Sequence, residues 1–376
     1  MKILLASRIF APESGAAAYR LAALVTGLQA AGHDVTVFTT RAPGAARSQP
    51  GISRWPVLRD RGGAVRGYMQ YASFDLPLFF RLLFASEYDV LVVEPPPTTG
   101  VVARLASALR RKPYIYFSAD VSSTAAEGIG VSPIIVRILK TIERSVLRGA
   151  AGVLSVSPGV TAAVHAIAGD DVPVVEVGTG VDTRIFTPTG LRRDEGRTLV
   201  YAGTMSEIQG AGIFVDAFLK IYQKHPGARL LMYGQGVELE NLRHRSVPAG
   251  DQIRFPGSVP GPEVAIALRS SAAGLASVRP SRGYDFAFAT KALAALACGT
   301  PVIYSGVGPL ADLIRPNNLG WTVAWDADQV ADAMDLALTA PVSEADRDRI
   351  STWTSASYSL TAVGGRAAQA VTDFVR

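Results

Sequence analysis

Two unbroken apolar runs, Val90–Val93 and Tyr114–Phe117, with Gly152–Val156 repeating the pattern, constrain this chain more than any other feature. A strand wet on one face alternates apolar and polar residues; these do not, so both of their faces must be covered. Helical passages separate them, Ile134–Leu147 among them, and the series opens with strands Lys2–Ala6 and Val35–Phe38 around an apolar helix through Leu21, Leu24, Val25 and Leu28, closed by Gly32. It restarts at Leu199–Ala202, runs through a helix over Ala211–Tyr222, and continues with strands at Leu230–Tyr233, Gln252–Phe255, Gly274–Val278 and Pro301–Tyr304. A polar stretch, Asp182–Gly196, lies between the two series. Such alternation predicts the α/β class: two facing Rossmann-like domains, each a doubly wound parallel sheet, presenting to one another the carboxyl strand ends where ligands sit. The expected boundaries are 1–187, 188–350, and a helical segment 351–376 packing back on the first domain.

Composition closes off several classes. Hydrophobic residues at 48% and charged residues at 18% supply two cores and exclude a disordered chain. The single cysteine, Cys298, excludes a disulfide framework or a multi-cysteine zinc site. His33, His165, His225 and His244 stand too far apart for metal-ligand spacing, so neither a metal nor a cofactor is expected. The net charge of +5 is dispersed, with no basic stripe interleaved with aromatics. That argues against nucleic acid and suits an anionic small ligand or membrane surface. The apolar stretch Tyr71–Pro97 is broken by Asp75, Arg81, Glu87 and Asp89, and the opening Met-Lys-Ile-Leu-Leu runs straight into a strand, so a cytoplasmic protein is expected.

The segment Arg279–Tyr304 carries the most chemistry. Thr290 is a suitable N-cap, Lys291–Cys298 is rich in helix formers, Gly299 is a C′ glycine, and Pro301 stops the helix before the next strand. A lysine in the first turn opposes the helix dipole, and an anionic partner would account for it. With Arg279 and Arg282 just upstream, Lys291 reads as part of a diphosphate clamp. The plain alternative is an amphipathic helix with a surface lysine.

The stretch Thr290–Val302 resembles the "TK-x-L-E-A-x-A-C-G-T-P-V" element of group 1 glycosyltransferases, retaining enzymes of family four with the GT-B architecture. Ala11–Gly15 is similar to their "P-P-E-x-G-G" loop and Gly32–Val37 to their "G-H-x-V-x-V" strand. Ser155–Val160 and Val177–Pro188 resemble the "V-S-x-x-V" and "N-G-V-D-x-x-x-F-x-P" segments. The resemblance implies transfer of a sugar from a nucleotide-diphosphate sugar to a hydroxyl of a glycan or lipid-linked acceptor, without metal. It implies catalytic roles for Asp120, Lys291 and Arg282. Donor contacts are implied at Gly203, Thr204, Gln209, Gly234, Phe255, Asp285 and Thr290, and an acceptor or phosphate loop at Gly15 and Ala16. Asp120 has a plainer reading, as a loop or capping aspartate.

Departures accompany the matches. Ala294 and Phe286 stand where the family carries two glutamates, with Asp285 adjacent; Thr204 and Gln209 replace an arginine and a lysine; Ala119 precedes Asp120 in place of histidine or glutamine. They support a second reading, a catalytically silent GT-B protein that binds a sugar nucleotide or partners an active transferase. An epimerase of similar fold would need cleft carboxylates and histidines that are scarce here. Arg20, one turn beyond the Gly15 loop, is expected at the cleft, whereas His33 and Cys298 read as structural. Phe74–Phe84 is strongly apolar, and Ile134–Arg148 carries Arg137, Lys140, Arg144 and Arg148 among apolar residues. That helix either rests peripherally on the inner face of an anionic membrane or packs on the core with a solvated basic edge.

Overall fold

The computed structural model describes residues 1–376 apart from 14, 45, 61, 62, 66, 129, 130, 193–196, 281–287 and 341. The chain forms two compact units, Met1–Thr179 with Leu360–Arg376, and Gly180–Ser359. Sequence reading placed the crossings at 187 and 350. Arg269 explains the first difference: its guanidinium donates to the carbonyls of Thr187 (2.7 Å), Ile185 (3.3 Å) and Leu191 (3.4 Å), tying the polar stretch to unit 2.

Unit 1 begins β1 (Lys2–Ala6), α1 (Ala16–Ala30), β2 (Asp34–Thr40), β3 (Ser48–Gln49), β4 (Ile52–Trp55), α2 (Tyr68–Leu83) and β5 (Val90–Val93). It continues α3 (Pro97–Arg110), β6 (Tyr114–Ser118), α4 (Ser122–Gly128), α5 (Pro133–Gly149), β7 (Gly152–Ser155), α6 (Pro158–Ala168) and β8 (Val174–Glu176). The sheet order is β3-β4-β2-β1-β5-β6-β7-β8, parallel except where β3 meets β4. Its two faces account for the unbroken apolar runs. Leu4, Leu91, Val93, Tyr114 and Tyr116 enter one core cluster; Ile3, Leu5, Val90, Val92, Ile115 and Phe117 enter another.

Unit 2 begins β9 (Thr198–Ala202), α7 (Gly212–Ile221), β10 (Arg229–Tyr233), α8 (Leu239–Ser246), β11 (Ile253–Gly257), α9 (Gly261–Arg269) and β12 (Ala273–Val278). It continues α10 (Lys291–Ala297), β13 (Val302–Gly306), α11 (Pro309–Ile314), β14 (Gly320–Val323), α12 (Ala327–Thr339) and α13 (Glu344–Tyr358). Its sheet is parallel in the order β11-β10-β9-β12-β13-β14, so the winding direction reverses between β9 and β12. Ligands of such sheets sit outside the carboxyl strand ends at that reversal. Helix α13 is fixed in this unit by Ser351 Oγ donating to Ala297 O (2.8 Å) and by Arg347 donating to Ser271 O (3.1 Å). The final helix, α14 (Leu360–Asp373), returns to unit 1 and lies against α1. Glycine permits that contact: a Cβ on Gly364 would overlap the Ala23 carbonyl, and one on Gly27 the Gly364 carbonyl.

Sequence reading found the central strands and missed β3, β4, β8 and β14. These lie at or next to sheet edges, where short segments of mixed polarity suffice because one flank stays open. Among the described residues no helix is long and apolar enough to cross a membrane.

Candidate functional site

In unit 2 the chemistry gathers at the reversal point. The loop after β9, Gly203–Gly210, is laced to its neighbours: Gly203 N donates to Tyr233 O (3.0 Å), Met205 N to Gln235 O (3.0 Å) and Arg279 N to Ile208 O (2.8 Å). Ser277 Oγ, near the end of β12, donates to Gln209 O at 2.6 Å. The approach of the loops after β9 and β10 needs glycine. Gly234 has φ +120°, and a Cβ there would overlap the Gly203 carbonyl.

Lys291 crosses this floor, and a Cβ on Gly203 would stand 2.6 Å from its Cε. Its amine donates to Tyr201 Oη (2.8 Å) and to Gln209 Oε1, and sits 4.4 Å from the centroid of the Tyr201 ring. Among the described residues no carboxylate pairs with it. Desolvation brings its pKa down to about 7. The surface-lysine alternative is therefore corrected: this is a cation held against neutral acceptors, a setting that an anionic ligand would complete. The cap expectation is corrected too. Thr290 is exposed, has helical dihedrals (φ −56°, ψ −22°) and makes no side-chain capping bond. Helix α10 has only seven residues, so the positive charge at this place is the lysine's own.

Other donor-side candidates separate. Gln209 and Gly203 join Lys291; Thr204 is exposed and enters through its carbonyl, which accepts from Tyr201 Oη at 2.7 Å. Phe255 packs partly buried against the core cluster of Leu199, Tyr201 and Met232. Arg282, Asp285 and Phe286 lie outside the described residues. Ala294 packs against the apolar cluster of Val181, Leu293 and Ala297. Sequence reading overlooked Glu238, whose Oε2 is buried without a hydrogen-bond partner among the described residues and whose charge, after burial, helps push the Tyr201 hydroxyl up. Its only signal was its place after the Gly234-Gln-Gly236 turn.

Unit 1 repeats the arrangement where β1 and β5 part. Glu94, just past β5, accepts from Ser7 Oγ at 3.0 Å and is ion-paired to Arg20 Nη2, both side chains being under a tenth exposed. The Arg20 guanidinium carbon lies 5.2 Å from the Phe117 ring centroid. Arg20 is thus a buried partner of Glu94 and not the open cleft residue expected. Removing one member of a buried pair leaves the other uncompensated. Arg20→Leu should cost about 3–5 kcal/mol, and the added Glu94→Gln should recover much of it, as read by urea unfolding.

Asp120 follows β6 and is exposed. Surrounding protein raises its carboxyl, Arg20 and Arg8 oppose the rise, and its access to water limits it. The capping alternative does not apply, because the first amides of α4 are taken by Glu143: Ser122 N to Oε1 at 2.7 Å and Ser123 N to Oε2 at 3.0 Å. The Asp120 carboxylate accepts no hydrogen bond from the described residues. Gly15 (φ +147°) and Ala16 open α1 and are exposed, with no atom within 4 Å of a Cβ built on Gly15. Three of the four basic side chains of α5 are used inside the unit: Lys140 pairs with Glu127 (2.8 Å), Arg144 Nε donates to Ile167 O (2.7 Å) and Arg148 Nε to Ala168 O (2.6 Å). Cys298 is buried, its thiol pushed up to about 12.

Two parallel-sheet α/β units with their polar residues at the winding reversals define the GT-B class of glycosyltransferase fold. Solved structures agree: a sucrose-phosphate synthase from Thermosynechococcus elongatus superposes with a TM-score of 0.78 at 19% identity, over 99% of this chain and 98% of that one. The Anabaena protein HepE, solved in complex with UDP and glucose, does so with a TM-score of 0.68 at 16% identity, over 99% and 100%. The family models decide membership. Residues 15–180 match the glycosyl transferase 4-like domain and residues 196–340 the glycosyl transferases group 1 domain, and the chain belongs to the group 1 glycosyl transferases. A D-inositol 3-phosphate glycosyltransferase of Paenarthrobacter aurescens (strain TC1) is 29% identical over 193 residues, 47% of this chain and 46% of that protein. The chain thus matches about half the length of this curated relative.

Proposed function

We propose that this chain is a retaining glycosyltransferase that takes a sugar from a nucleoside-diphosphate sugar bound by unit 2 and delivers it to a hydroxyl of a glycan or lipid-linked acceptor bound by unit 1. The observation that carries the reading is the Lys291 amine, desolvated at the sheet reversal with no carboxylate partner among the described residues. The UDP in the HepE complex and the activity named for the Paenarthrobacter relative support the donor and reaction class. In the reaction the anomeric C–O bond to the diphosphate breaks and one to the acceptor oxygen forms. The acceptor's proton passes to the departing phosphate, leaving nucleoside diphosphate. Lys291, with Arg282, offsets charge growing on the leaving group, Gln209 orients the amine, and Asp120 steadies the positive charge of the sugar.

No step calls for a metal, and EDTA should leave turnover unchanged. Peripheral membrane contact belongs to the same proposal; exposed Ile134 and Ile138 beside Arg137 on α5 support it. The second reading, a silent sugar-nucleotide binder, is favoured by Ala294, which offers no acceptor to a ribose. Thermal unfolding against nucleotide sugars, followed by acceptor-dependent release of nucleoside diphosphate, separates them. A true donor at ~100 times its Kd should add about 2.7 kcal/mol. A shift with release supports the transferase; a shift with no release over any acceptor supports the silent binder; no shift with any nucleotide sugar overturns both.

A further inference from the structure

Helix α2 presents to water the kind of residue a helix normally buries. Its inner face carries Phe74, Leu78 and Leu82, all buried, as amphipathic spacing requires. Its outer face carries a second apolar stripe, Met69, Leu76 and Phe80, continued by Phe84 at the C-cap, each more than half exposed. Helix α3 packs beside it, the Arg110 guanidinium donating to the carbonyls of Leu82 (3.0 Å) and Ala85 (2.6 Å), and adds exposed Leu105 and Leu109. The charged residues of α2, Asp75 and Arg81, turn away from this stripe. Asp75 is buried and accepts from Thr98 Oγ1 and Thr99 Oγ1, both at 2.6 Å. Arg81 stacks 4.3 Å from the Phe38 ring centroid and donates to Ser53 O at 3.0 Å.

A contiguous exposed apolar patch marks an interaction surface, and its charge and area narrow the partner. A helix that rests on an anionic membrane carries Lys or Arg beside its apolar face, as α5 does with Arg137 beside Ile134 and Ile138. The outer face of α2 is neutral instead, so neither an anionic surface nor a charged protein is matched by it. A twofold interface opposes a surface to itself: a charged patch would meet its own sign there, and a neutral one does not. The area agrees. The six exposed side chains, at ~150–250 Å² each for full exposure, present roughly 800 Å², about what each partner of a standard-size interface contributes. We propose that α2 and α3 form the interface of a homodimer, α2 lying antiparallel to its own copy across a twofold axis at Leu76, the middle of the stripe.

The test is sedimentation equilibrium of the full chain, which needs neither donor nor acceptor, so its outcome is independent of the transferase reading. The wild-type chain should be a dimer. Leu76→Glu and Phe80→Glu should each weaken the dimer by about 100-fold or more, because each sets like charges into a desolvated centre. Leu336→Glu, at an exposed position on α12 of unit 2, should leave it intact. Both α2 positions face water in the single chain, so the variants should fold, as far-UV circular dichroism checks. Leu76→Glu and Leu76→Lys chains, each monomeric alone, should re-form a dimer when mixed at low salt, since the axis brings position 76 against its copy. A wild-type chain that is monomeric at ~100 μM, a dimer that both glutamate variants leave intact, or a mixture that stays monomeric overturns the proposal. A monomer that binds phosphatidylcholine vesicles, and loses that binding in Leu76→Glu, overturns it too, because lipid is then the occupant.

Discussion

Lys291→Met should lower sugar transfer by about 10²–10³-fold, the usual effect of removing one group that stabilises charge developing in the transition state. The wild-type profile has a defined sign. With the free-protein amine at about 7, the cation that grips a diphosphate is present below that pH and lost above it. The transfer efficiency, kcat/KM, should therefore fall as pH rises through 7, and the variant's residual activity should lack this step. Stability moves oppositely. The amine's pKa is lower folded than unfolded (about 10.4), so between pH 7 and about 10.4 the unfolded chain binds the extra proton and stability rises with pH. The wild-type penalty is greatest below pH 7. Lys291→Met should there raise the melting temperature of the unliganded protein by roughly 5 °C, taking ~2 kcal/mol at ~2–4 °C per kcal/mol, with the gain fading at alkaline pH. Differential scanning at pH 6 and pH 9.5 checks both the sign and the fade.

Gly234→Ala should be a strongly damaging single-methyl change in unit 2. Its φ of +120° strains any L side chain, and the new Cβ would overlap the Gly203 carbonyl. The loop after β9 would have to move, at a cost of about 3–5 kcal/mol. Because Gly203 lies directly under the Lys291 stem, the response to nucleotide should disappear with the stability. Gly257→Ala is the matching control: φ is +83°, but a Cβ there meets nothing within 4 Å. It should cost only about 1–2 kcal/mol and keep the nucleotide response. Denaturant midpoints with and without ligand separate the two effects; equal losses for both glycines would remove the close-approach argument.

The candidate site was legible where short-range chemistry decides it. Lys291 stood out because a lysine in a first helical turn is electrostatically misplaced, whereas Gly203, Gly234 and Gln209 were implied by the family resemblance, and the structure gathers them beside it. Phe255, implied by the same resemblance, is partly buried against the core cluster, and nothing local fixes side-chain direction on β11, which depends on which neighbours cover it. Arg20 was misplaced for the same reason: nothing local shows that Glu94, 74 positions further on, ends in the same buried layer.

The sequence alone determined the two doubly wound sheets, since unbroken apolar strands are stable only with both faces covered, and it determined the run from Thr290 to Pro301 as a short helix feeding a strand. The tertiary structure alone decided that the polar stretch after Asp182 belongs to unit 2, through Arg269, and that Asp120 is relieved of capping, through Glu143. It also decided that Lys291 is desolvated against Tyr201 and Gln209, and that Asp75 and Arg81 turn away from the outer face of α2. The physical reason is common to all four. Periodicity and propensity act over a few neighbouring residues, whereas desolvation and ion pairing depend on residues that only the folded chain brings within a few ångströms.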